Sequence, residues 1–400
     1  MTERAAGFDD HSPSLARSFV IFDDQITLLR KVGEALEAVD YARVSPWTTN
    51  DWTFLWAYPD PFGNGEHQLA KEKVRSNQLI NHYPVNFFSA KSNLVANDLP
   101  SIPMAFAMPR QFRDFAAAHR DRPDKLWVRK NCGHRGVMIT DPSELRTFLQ
   151  TAQQEIFVQE LVSPPHLIHQ RKWDIGVYVL VTSLAPLRIY VYDDWLLRFC
   201  TTDFPGDQLV PADVDTYVIT DDYLSPWDAP FFATYVQRFQ YVKEALTQYL
   251  DEHNAQQRFR EKFRDGCLRA IHDVVSTYAD NMLHATHGWP DGQYQFFELY
   301  RFDFIFDDQL NPFLMEANMS PNLSPSAHPG LSEMFSRITN DLISLLGLSQ
   351  GPEYRLSLLN DPTRREKSEL DNRRGWVPID NAHVSRELSP GSDADSAVRP

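Results

Sequence analysis

The stretch FDFIFDDQLNPFLMEANM, residues 302–319, has the pattern of two strands joined by a polar turn. In each half, large apolar residues alternate with other residues, as in a strand that buries one face. A turn at the centre sets Asp307 opposite Pro312. The same register then places Asp303 directly across from Glu316. Like charges that face each other across a sheet destabilise it unless a proton or a cation lies between them, so the hairpin predicts a shared ion.

A hard divalent cation suits this pair of carboxylates. Magnesium prefers oxygen ligands, is often held by one or two carboxylates together with nucleotide phosphates, and accepts an amide oxygen such as that of Asn318. The alternative is a strand that is solvated on one face, with Glu316 exposed, because a register slip of one residue would remove the pairing. The spacing of the residues leaves both alternatives open.

The composition indicates a globular protein and excludes several classes of partner. The 400 residues are 42% hydrophobic and 12% aromatic, which is enough apolar material for two or three packed lobes. The net charge of -15 argues against a broad nucleic-acid or anionic-membrane surface, and no window of about 20 apolar residues could span a bilayer. Three cysteines without metal-type spacing indicate a reducing compartment. We therefore expect a cytoplasmic protein with no nucleic-acid or membrane partner, and we expect it to be a monomer.

The distribution of apolar residues divides the chain into four parts. Residues 1–17 are polar and predicted to be disordered, residues 18–115 form an N-terminal α/β lobe, residues 116–350 carry strand and helix patterns, and residues 351–400 form a polar, largely disordered tail. An alternating run on each side of the acidic pair at 193–194 indicates a hairpin there. The predicted fold class is therefore α+β, with antiparallel-rich sheets and flanking helices.

Three further stretches precede the hairpin: LWVRKNCGHRGVMIT at 126–140, IFVQELV at 156–162 and KWDIGVYVLVTSLAPLRIYVYDDWLLRF at 172–199. In this order, and together with the hairpin, they resemble the motifs of the tubulin tyrosine ligase-like family, whose members are ATP-grasp amide ligases. The resemblance covers roughly residues 45–350. It implies an ATP-grasp architecture with the nucleotide between lobes, so that residues 116–350 would be the ATP-grasp central and C-terminal lobes.

The resemblance implies roles for individual residues. Those that would bind ATP, at its phosphates, at the loop over them, at the adenine hinge or near the ribose, are Lys91, Lys130, Arg135, Gly136, Gln159, Glu160, Val162, Lys172 and Asp174. Those that would hold Mg2+ are Asp303, Glu316 and Asn318. Those that would be catalytic are Arg198, which would stabilise developing negative charge, Thr220 and Asp221.

The chain departs from the family pattern at three places. Where the family reads Lys-Phe-Asp-Ile-Arg this chain reads KWDIG, so Gly176 replaces an arginine expected to face the γ-phosphate and the substrate carboxylate. Where the family reads His-Leu-Thr-Asn this chain reads VITD, so Asp221 replaces an amide. Glu160 replaces a lysine that is common in the hinge. Losing a charge partner of the transition state can cost roughly 10²–10³ in rate, so these departures bear on activity more than on fold.

The resemblance implies a reaction in which ATP phosphorylates a carboxylate and the amine of a free amino acid attacks the acyl phosphate. The first hypothesis is a ligase that adds glutamate, glycine or tyrosine to a carboxylate of tubulin or another acidic protein, in association with the cytoskeleton or the cilium. The second is a nucleotide-binding pseudoenzyme or scaffold of the same fold, motivated by Gly176 and Asp221. The third is an ATP-grasp ligase with a non-tubulin acceptor. We rank the hypotheses in this order.

Overall fold

The structure is a computed structural model of the chain. The residues that it describes are 16–45, 50–63, 68–85, 87–96, 99–131, 137–150, 156–206, 208–220, 222–324 and 328–379. Predictions that fall outside these residues concern Arg135, Gly136, Asp221, most of the segment 1–17 and the end of the tail.

Short and long strands are interspersed with helices along the described chain. The strands are β1 (Ser18–Val20), β2 (Ala42–Arg43), β3 (Phe54–Leu55), β4 (Leu79–Asn81), β5 (Ala105–Met108), β6 (Trp127–Asn131), β7 (Met138–Ile139), β8 (Ile156–Glu160), β9 (Leu167–Ile168), β10 (Arg171–Leu184), β11 (Leu187–Phe199), β12 (Phe296–Phe306), β13 (Pro312–Met319) and β14 (Trp376–Ile379). The α-helices are α1 (Arg30–Glu37), α2 (Lys91–Val95), α3 (Phe112–Asp121), α4 (Pro142–Leu149), α5 (Ala233–Arg238), α6 (Val242–Glu252), α7 (Gln256–Lys262), α8 (Arg269–Ala285), α9 (Pro329–Leu345), α10 (Pro352–Leu356) and α11 (Pro362–Asp371). Within the described residues, no helix has both the length and the hydropathy that crossing a bilayer requires.

The first of two compact units is built on a parallel sheet. It comprises Met1–Pro84, His284–Glu298 and Ser320–Trp376. The strands β2, β1, β3 and β4 pair in parallel in this order, and the first residues of β12 pair with β4 in the same direction. β1, β3 and β4 are buried from end to end, as is typical of parallel strands. The rings of Phe54 and Phe297 stack in this core with their centroids 5.8 Å apart.

The second unit contains two antiparallel sheets and carries all the candidate site residues that the structure describes. It comprises Val85–Leu283, Leu299–Met319 and Val377–Pro400. One sheet has four strands in the order β5-β8-β6-β7. The other is built on the long hairpin β10–β11, with β10 next to β12 and β12 next to β13. The prediction of a mixed α and β fold that is rich in antiparallel sheet is therefore confirmed.

The β12–β13 hairpin confirms the predicted carboxylate pair but not the predicted turn. Asp303 pairs with Glu316. At the turn, however, Pro312 pairs with Phe306 rather than with Asp307, one residue away from the prediction. A register shift next to Asp303, where β13 carries one extra residue in a β-bulge, brings the two carboxylates opposite each other.

The acidic pair at residues 193–194 lies in the middle of a strand, so the prediction of a hairpin there is wrong. β11 runs through it without interruption. Asp194 is buried, and its Oδ1 accepts hydrogen bonds from the backbone N–H of Trp195 and of Lys243, which lies in the first turn of α6. A carboxylate at the N-terminus of a helix satisfies backbone donors there, which explains the pair without a turn.

Residues 352–379 are more ordered than the sequence predicts for the start of a tail. They form α10, α11 and β14. Arg365 Nε lies 3.1 Å from Glu369 Oε1, one turn further along α11, and both side chains are buried. Trp376 is buried as well. Because buried ion pairs supply part of this packing, the charged composition of the segment concealed its order.

Candidate active site

Asp303, Glu316 and Asn318 converge at one point of the β12–β13 hairpin. Asn318 Nδ2 donates to Asp303 Oδ2 at 3.2 Å and to Glu316 Oε1 at 2.8 Å. A single amide donor therefore bridges the two carboxylates that pair across the strands. Asp303 is buried, whereas the side chain of Glu316 is 22% exposed. Glu316 thus lies at the edge of the site. It is neither fully buried nor fully exposed, the two alternatives that the sequence left open.

Two arginines bind Asp303, one from its own strand and one from β11. Arg301 Nε and Nη2 donate to the Asp303 Oδ1 and Oδ2 atoms at 2.7 and 2.9 Å. Arg198 Nη2 donates to Oδ2 at 3.0 Å. Arg198 also forms a bidentate pair with Asp174, its partner across the β10–β11 hairpin. Because bidentate guanidinium–carboxylate pairs have a fixed geometry, these four side chains form one cluster with set orientations.

Burial and charge act in opposite directions on the carboxylates. Burial raises the pKa of Asp174 to about 6, although Arg198 opposes this rise. Burial would also raise the pKa of Glu316, but Lys91 Nζ, 3.0 Å from Oε2, and the Asn318 amide lower that pKa to about 2. The two neighbouring aspartates keep the pKa of Arg198 above its usual value in spite of burial. Glu316 is therefore ionised at any pH near neutrality.

Three lysines approach the same site from different elements. Lys91 begins α2, Lys130 lies on β6, and Lys172 lies at the start of β10. Lys130 Nζ donates to Gln159 Oε1 at 2.7 Å, and Lys172 Nζ donates to the Tyr217 carbonyl at 2.9 Å. Burial, together with the charges of Lys91 and Lys172, lowers the pKa of Lys130 to about 7, and burial also lowers the pKa of Lys172. The charges of Lys91 and Lys172 thus both act on the Lys130 ammonium group.

Strand β8 turns Gln159 and Glu160 to opposite sides. Gln159 is buried and accepts the hydrogen bond from Lys130. Glu160 instead forms ion pairs with Arg122 and Lys125 at 2.7 and 3.2 Å. Successive residues of a strand face opposite sides of the sheet, which explains the difference. The predicted hinge therefore offers the Gln159 side chain to the site, while the carboxylate of Glu160 is held by two other cations.

Arg301 occupies the space next to Gly176, although no motif pointed to it. A Cβ atom at position 176 would lie 2.7 Å from Arg301 Cδ and 3.0 Å from Asp303 Oδ1. A side chain at position 176 and the present side chain of Arg301 therefore exclude each other. The signal in the sequence was that Arg301 and Asp303, two residues apart on one strand, share a face.

The other predicted residues contribute less to this cluster. Thr220 is half-buried, and Val162 is buried just beyond the end of β8. Tyr223 was not indicated by any motif, and its ring centroid lies 5.7 Å from the Arg198 guanidinium carbon, within cation–π range. Tyr223 therefore forms part of the wall around Arg198.

The donor atoms of Asp303, Glu316 and Asn318 fit a hard cation that is bound together with phosphates. Among the described residues, no group of three or more His, Cys, Asp or Glu side chains could hold a metal by itself. Two carboxylates and one amide leave coordination positions for phosphate and water oxygens, as is usual for Mg2+. The bridging Nδ2 donor marks a position between the carboxylates that favours positive charge, and a half-turn of the amide would present its oxygen there.

Known proteins resemble this chain over most of its length. The model of the tubulin-tyrosine ligase family matches residues 67–353. The probable tubulin polyglutamylase ttll-15 of Caenorhabditis elegans is 33% identical over 328 residues, which are 81% of this chain and 62% of that protein. Tubulin polyglutamylase TTLL6 of Homo sapiens is 25% identical over 303 residues, which are 69% of this chain and 31% of that protein. Tubulin monoglutamylase TTLL4 of Mus musculus is 24% identical over 321 residues, which are 74% of this chain and 25% of that protein.

The family match covers the part of the chain that carries the site. The matched residues include the three lysines, both arginines and the whole β12–β13 hairpin. The chain spans between 25% and 62% of the length of these three relatives. The match itself extends over most of the 400 residues, and it confirms the resemblance that the motifs indicated. The chain belongs to the tubulin-tyrosine ligase family.

Proposed function

We propose that this chain is an ATP-dependent carboxylate–amine ligase that adds an amino acid to a carboxylate of tubulin. The observation that supports this most directly is the excess of positive charge in the site. Its cations are Lys91, Lys130, Lys172, Arg198 and Arg301, and its carboxylates are Asp174, Asp303 and Glu316. Such an excess suits the phosphates of ATP, because phosphoryl transfer depends on positioning and charge neutralisation rather than on a nucleophilic side chain.

The proposal includes an ATP-grasp architecture, with the nucleotide between the two sheets of the second unit. Lys130 belongs to the four-stranded sheet and Lys172 to the long antiparallel sheet. Lys172 Nζ donates to the Tyr217 carbonyl, and Tyr217 packs in one core cluster with Val128 of β6, so the two sheets approach each other here. In this scheme, residues 18–115 and 116–350 remain the proposed N-terminal lobe and ATP-grasp lobes.

Mg2+ would be held by Asp303, Glu316 and Asn318. When bound, it would neutralise charge on the β- and γ-phosphates. Lys91, the present partner of Glu316, can move its ammonium to a phosphate oxygen, because lysine is a point charge on a flexible stem. The buried Asp303 carboxylate is already oriented by Arg198 and cannot turn away from the site without breaking that ion pair.

The chain's residues would stabilise negative charge in two successive steps. The acceptor carboxylate attacks the γ-phosphorus of ATP, the bond to ADP breaks, and an acyl phosphate forms. The amine of the amino acid then attacks the acyl carbon, loses a proton to water, and phosphate leaves. Arg198, held in place by Asp174 and Asp303, would donate to the oxyanions that develop in both steps.

The names of the relatives favour glutamate as the added amino acid and tubulin as the acceptor. Two of the three relatives described above are named tubulin polyglutamylases and one is named a tubulin monoglutamylase. We therefore place glutamate ahead of glycine and tyrosine, with a cytoplasmic location at the cytoskeleton. The guanidinium of Arg301 beside Gly176 weakens the case for a pseudoenzyme, since the site does not lack a cation at this point.

The test is incorporation of a labelled amino acid. Purified protein is incubated with ATP, Mg2+, tubulin and, in turn, labelled glutamate, glycine or tyrosine. We expect glutamate incorporation that Glu316→Gln abolishes, while Glu261→Gln, a change at an exposed carboxylate of α7, leaves it unchanged. Nucleotide binding without incorporation of any amino acid would support the scaffold hypothesis instead.

A further inference from the structure

We propose that Arg301 binds the terminal oxyanion of the reacting substrates, and that Gly176, which has no side chain, leaves the space that Arg301 needs to do so. The oxyanion is either the γ-phosphate of ATP or the carboxylate of the incoming amino acid. This inference rests on the proposed function. It assigns Arg301 as a substrate-binding residue on β12 in the place where the family pattern has an arginine on β10.

The stem of Arg301 lies where a side chain at position 176 would be. A Cβ atom at Gly176 would lie 2.7 Å from Arg301 Cδ and 3.1 Å from Cγ, so the stem of Arg301 fills the volume of a side chain at position 176. Gly176 and Asp174 are two residues apart on β10, which places any such side chain on the face that carries the Asp174–Arg198 pair. The arginine thus reaches the same face of the sheet from the neighbouring strand.

Carboxylate partners hold Arg301 and Arg198 in fixed orientations. Arg301 uses Nε and Nη2 to bind Asp303, and no acceptor among the described residues receives a hydrogen bond from its Nη1. Arg198 is bound in the same manner through Nε and Nη2. The Nη2 atoms of both arginines converge on one oxygen, Asp303 Oδ2. Both guanidinium groups are thus fixed by their carboxylate partners, and Arg301 keeps its Nη1 donor for an oxyanion, the type of ligand that arginine recognises.

Both arginines are partly buried. The side chains of Arg198 and Arg301 are 13% and 14% exposed, so each is largely withdrawn from water but still reachable by a ligand. A partly desolvated guanidinium interacts more strongly with an anion than one on the surface. Their aspartate partners fix their positions, and the neighbouring lysines add further positive charge. The cluster is accordingly organised before any anion binds.

The experiment is a double-mutant cycle that exchanges the two residues. Arg301→Gly removes the guanidinium, and we expect roughly 10²–10³-fold loss of kcat/KM for ligation. Gly176→Arg puts a side chain into the stem of Arg301, and we expect a comparable loss. The exchanged variant, Gly176→Arg with Arg301→Gly, restores one arginine to the vacated space, and we expect activity within about tenfold of the unmodified protein.

Two readouts locate the anion. If Arg301 binds the γ-phosphate, Arg301→Lys and Arg301→Gly reduce the affinity for a non-hydrolysable ATP analogue while leaving ADP affinity nearly unchanged. If it binds the carboxylate of the amino acid, the same variants raise the KM for glutamate and leave the preference for ATP over ADP intact. Arg260→Ala, at an exposed arginine of α7, is the control. Thermal melting identifies any variant that fails to fold, and Arg301→Lys then serves as the milder substitution.

The outcomes separate this inference from the proposed function. An unmodified protein that binds ATP but ligates nothing refutes the ligase, and the ATP and ADP affinities of the cycle still test Arg301. If the loss of kcat/KM in the exchanged variant equals the product of the losses in the two single variants, the two positions do not substitute for each other, and the inference is overturned. So does an Arg301→Gly variant that folds and changes neither the ATP preference nor the KM for glutamate.

Discussion

Binding of ATP above neutral pH should take up a proton at Lys130. Burial and the charges of Lys91 and Lys172 lower the pKa of Lys130 to about 7 in the ligand-free protein. Phosphate oxygens close to the ammonium favour its charged form and raise this pKa on binding. The complex therefore holds more protons than the free protein at any pH between the two pKa values, and affinity falls as the pH rises through that window.

The size of the effect follows from the pKa. With a pKa of about 7, only about one Lys130 side chain in ten is protonated at pH 8, so binding takes up close to 0.9 proton there and about 0.1 proton at pH 6. Affinity should then fall by up to tenfold per pH unit above 7. Burial also lowers the pKa of Lys172.

Calorimetry in two buffers measures this proton directly. The observed binding heat of a non-hydrolysable ATP analogue is compared at pH 8 in buffers with different ionisation enthalpies, such as Tris and HEPES. Lys130→Met should remove most of the difference between the buffers, whereas Lys367→Met, at an exposed lysine of α11, should not. Equal heats in the two buffers at pH 8, or an uptake unaffected by Lys130→Met, would refute the reasoning.

Three further predictions concern the metal and the packing around the site. Chelating Mg2+ with excess EDTA should weaken ATP binding at least tenfold by equilibrium dialysis, and unchanged binding would contradict the assignment of the carboxylate pair. In the first unit, His82 Nδ1 lies 3.0 Å from Glu298 Oε2 and both side chains are buried, so His82→Leu should cost about 3 kcal/mol of unfolding free energy in urea titrations. A Cβ atom at Gly266 would lie 2.3 Å from Pro312 Cγ. Gly266→Ala should therefore lower the free energy of unfolding by about 1–3 kcal/mol and reduce ligation by shifting the start of β13. An unchanged midpoint of urea unfolding would count against this close approach.

The carboxylate pair was predictable because alternation along two strands leaves few registers. The sequence placed Asp303 opposite Glu316, and the structure has this pair although the turn is one residue longer than predicted. The bulge that compensates could not be foreseen, because an extra residue in a strand leaves no mark in a pattern of apolar side chains.

The lysines and Arg198 were predictable from motifs, whereas Arg301 required the structure. The motif on β10 has Gly176 where the family pattern has an arginine, so the sequence alone indicates that a positive charge is missing there. Only the packing of β10 against β12 shows that a side chain from the neighbouring strand fills the gap. The prediction of a hairpin at Asp194 was wrong for a similar reason, because the backbone N–H that this carboxylate binds belongs to Lys243, 49 residues away along the chain.

The composition of the first unit affects when this protein can fold during synthesis. Its parallel strands come from the first 84 residues, but its core also needs Phe297 and the segment Ser320–Trp376. A nascent chain that has left the ribosome only as far as the last residue of the second unit's β13 contains the strands of the parallel sheet but lacks Ser320–Trp376, so the core of the first unit is incomplete. Ribosome-bound chains released before Trp376 should therefore be captured by chaperones or degraded, even when every residue of the candidate active site has already been made.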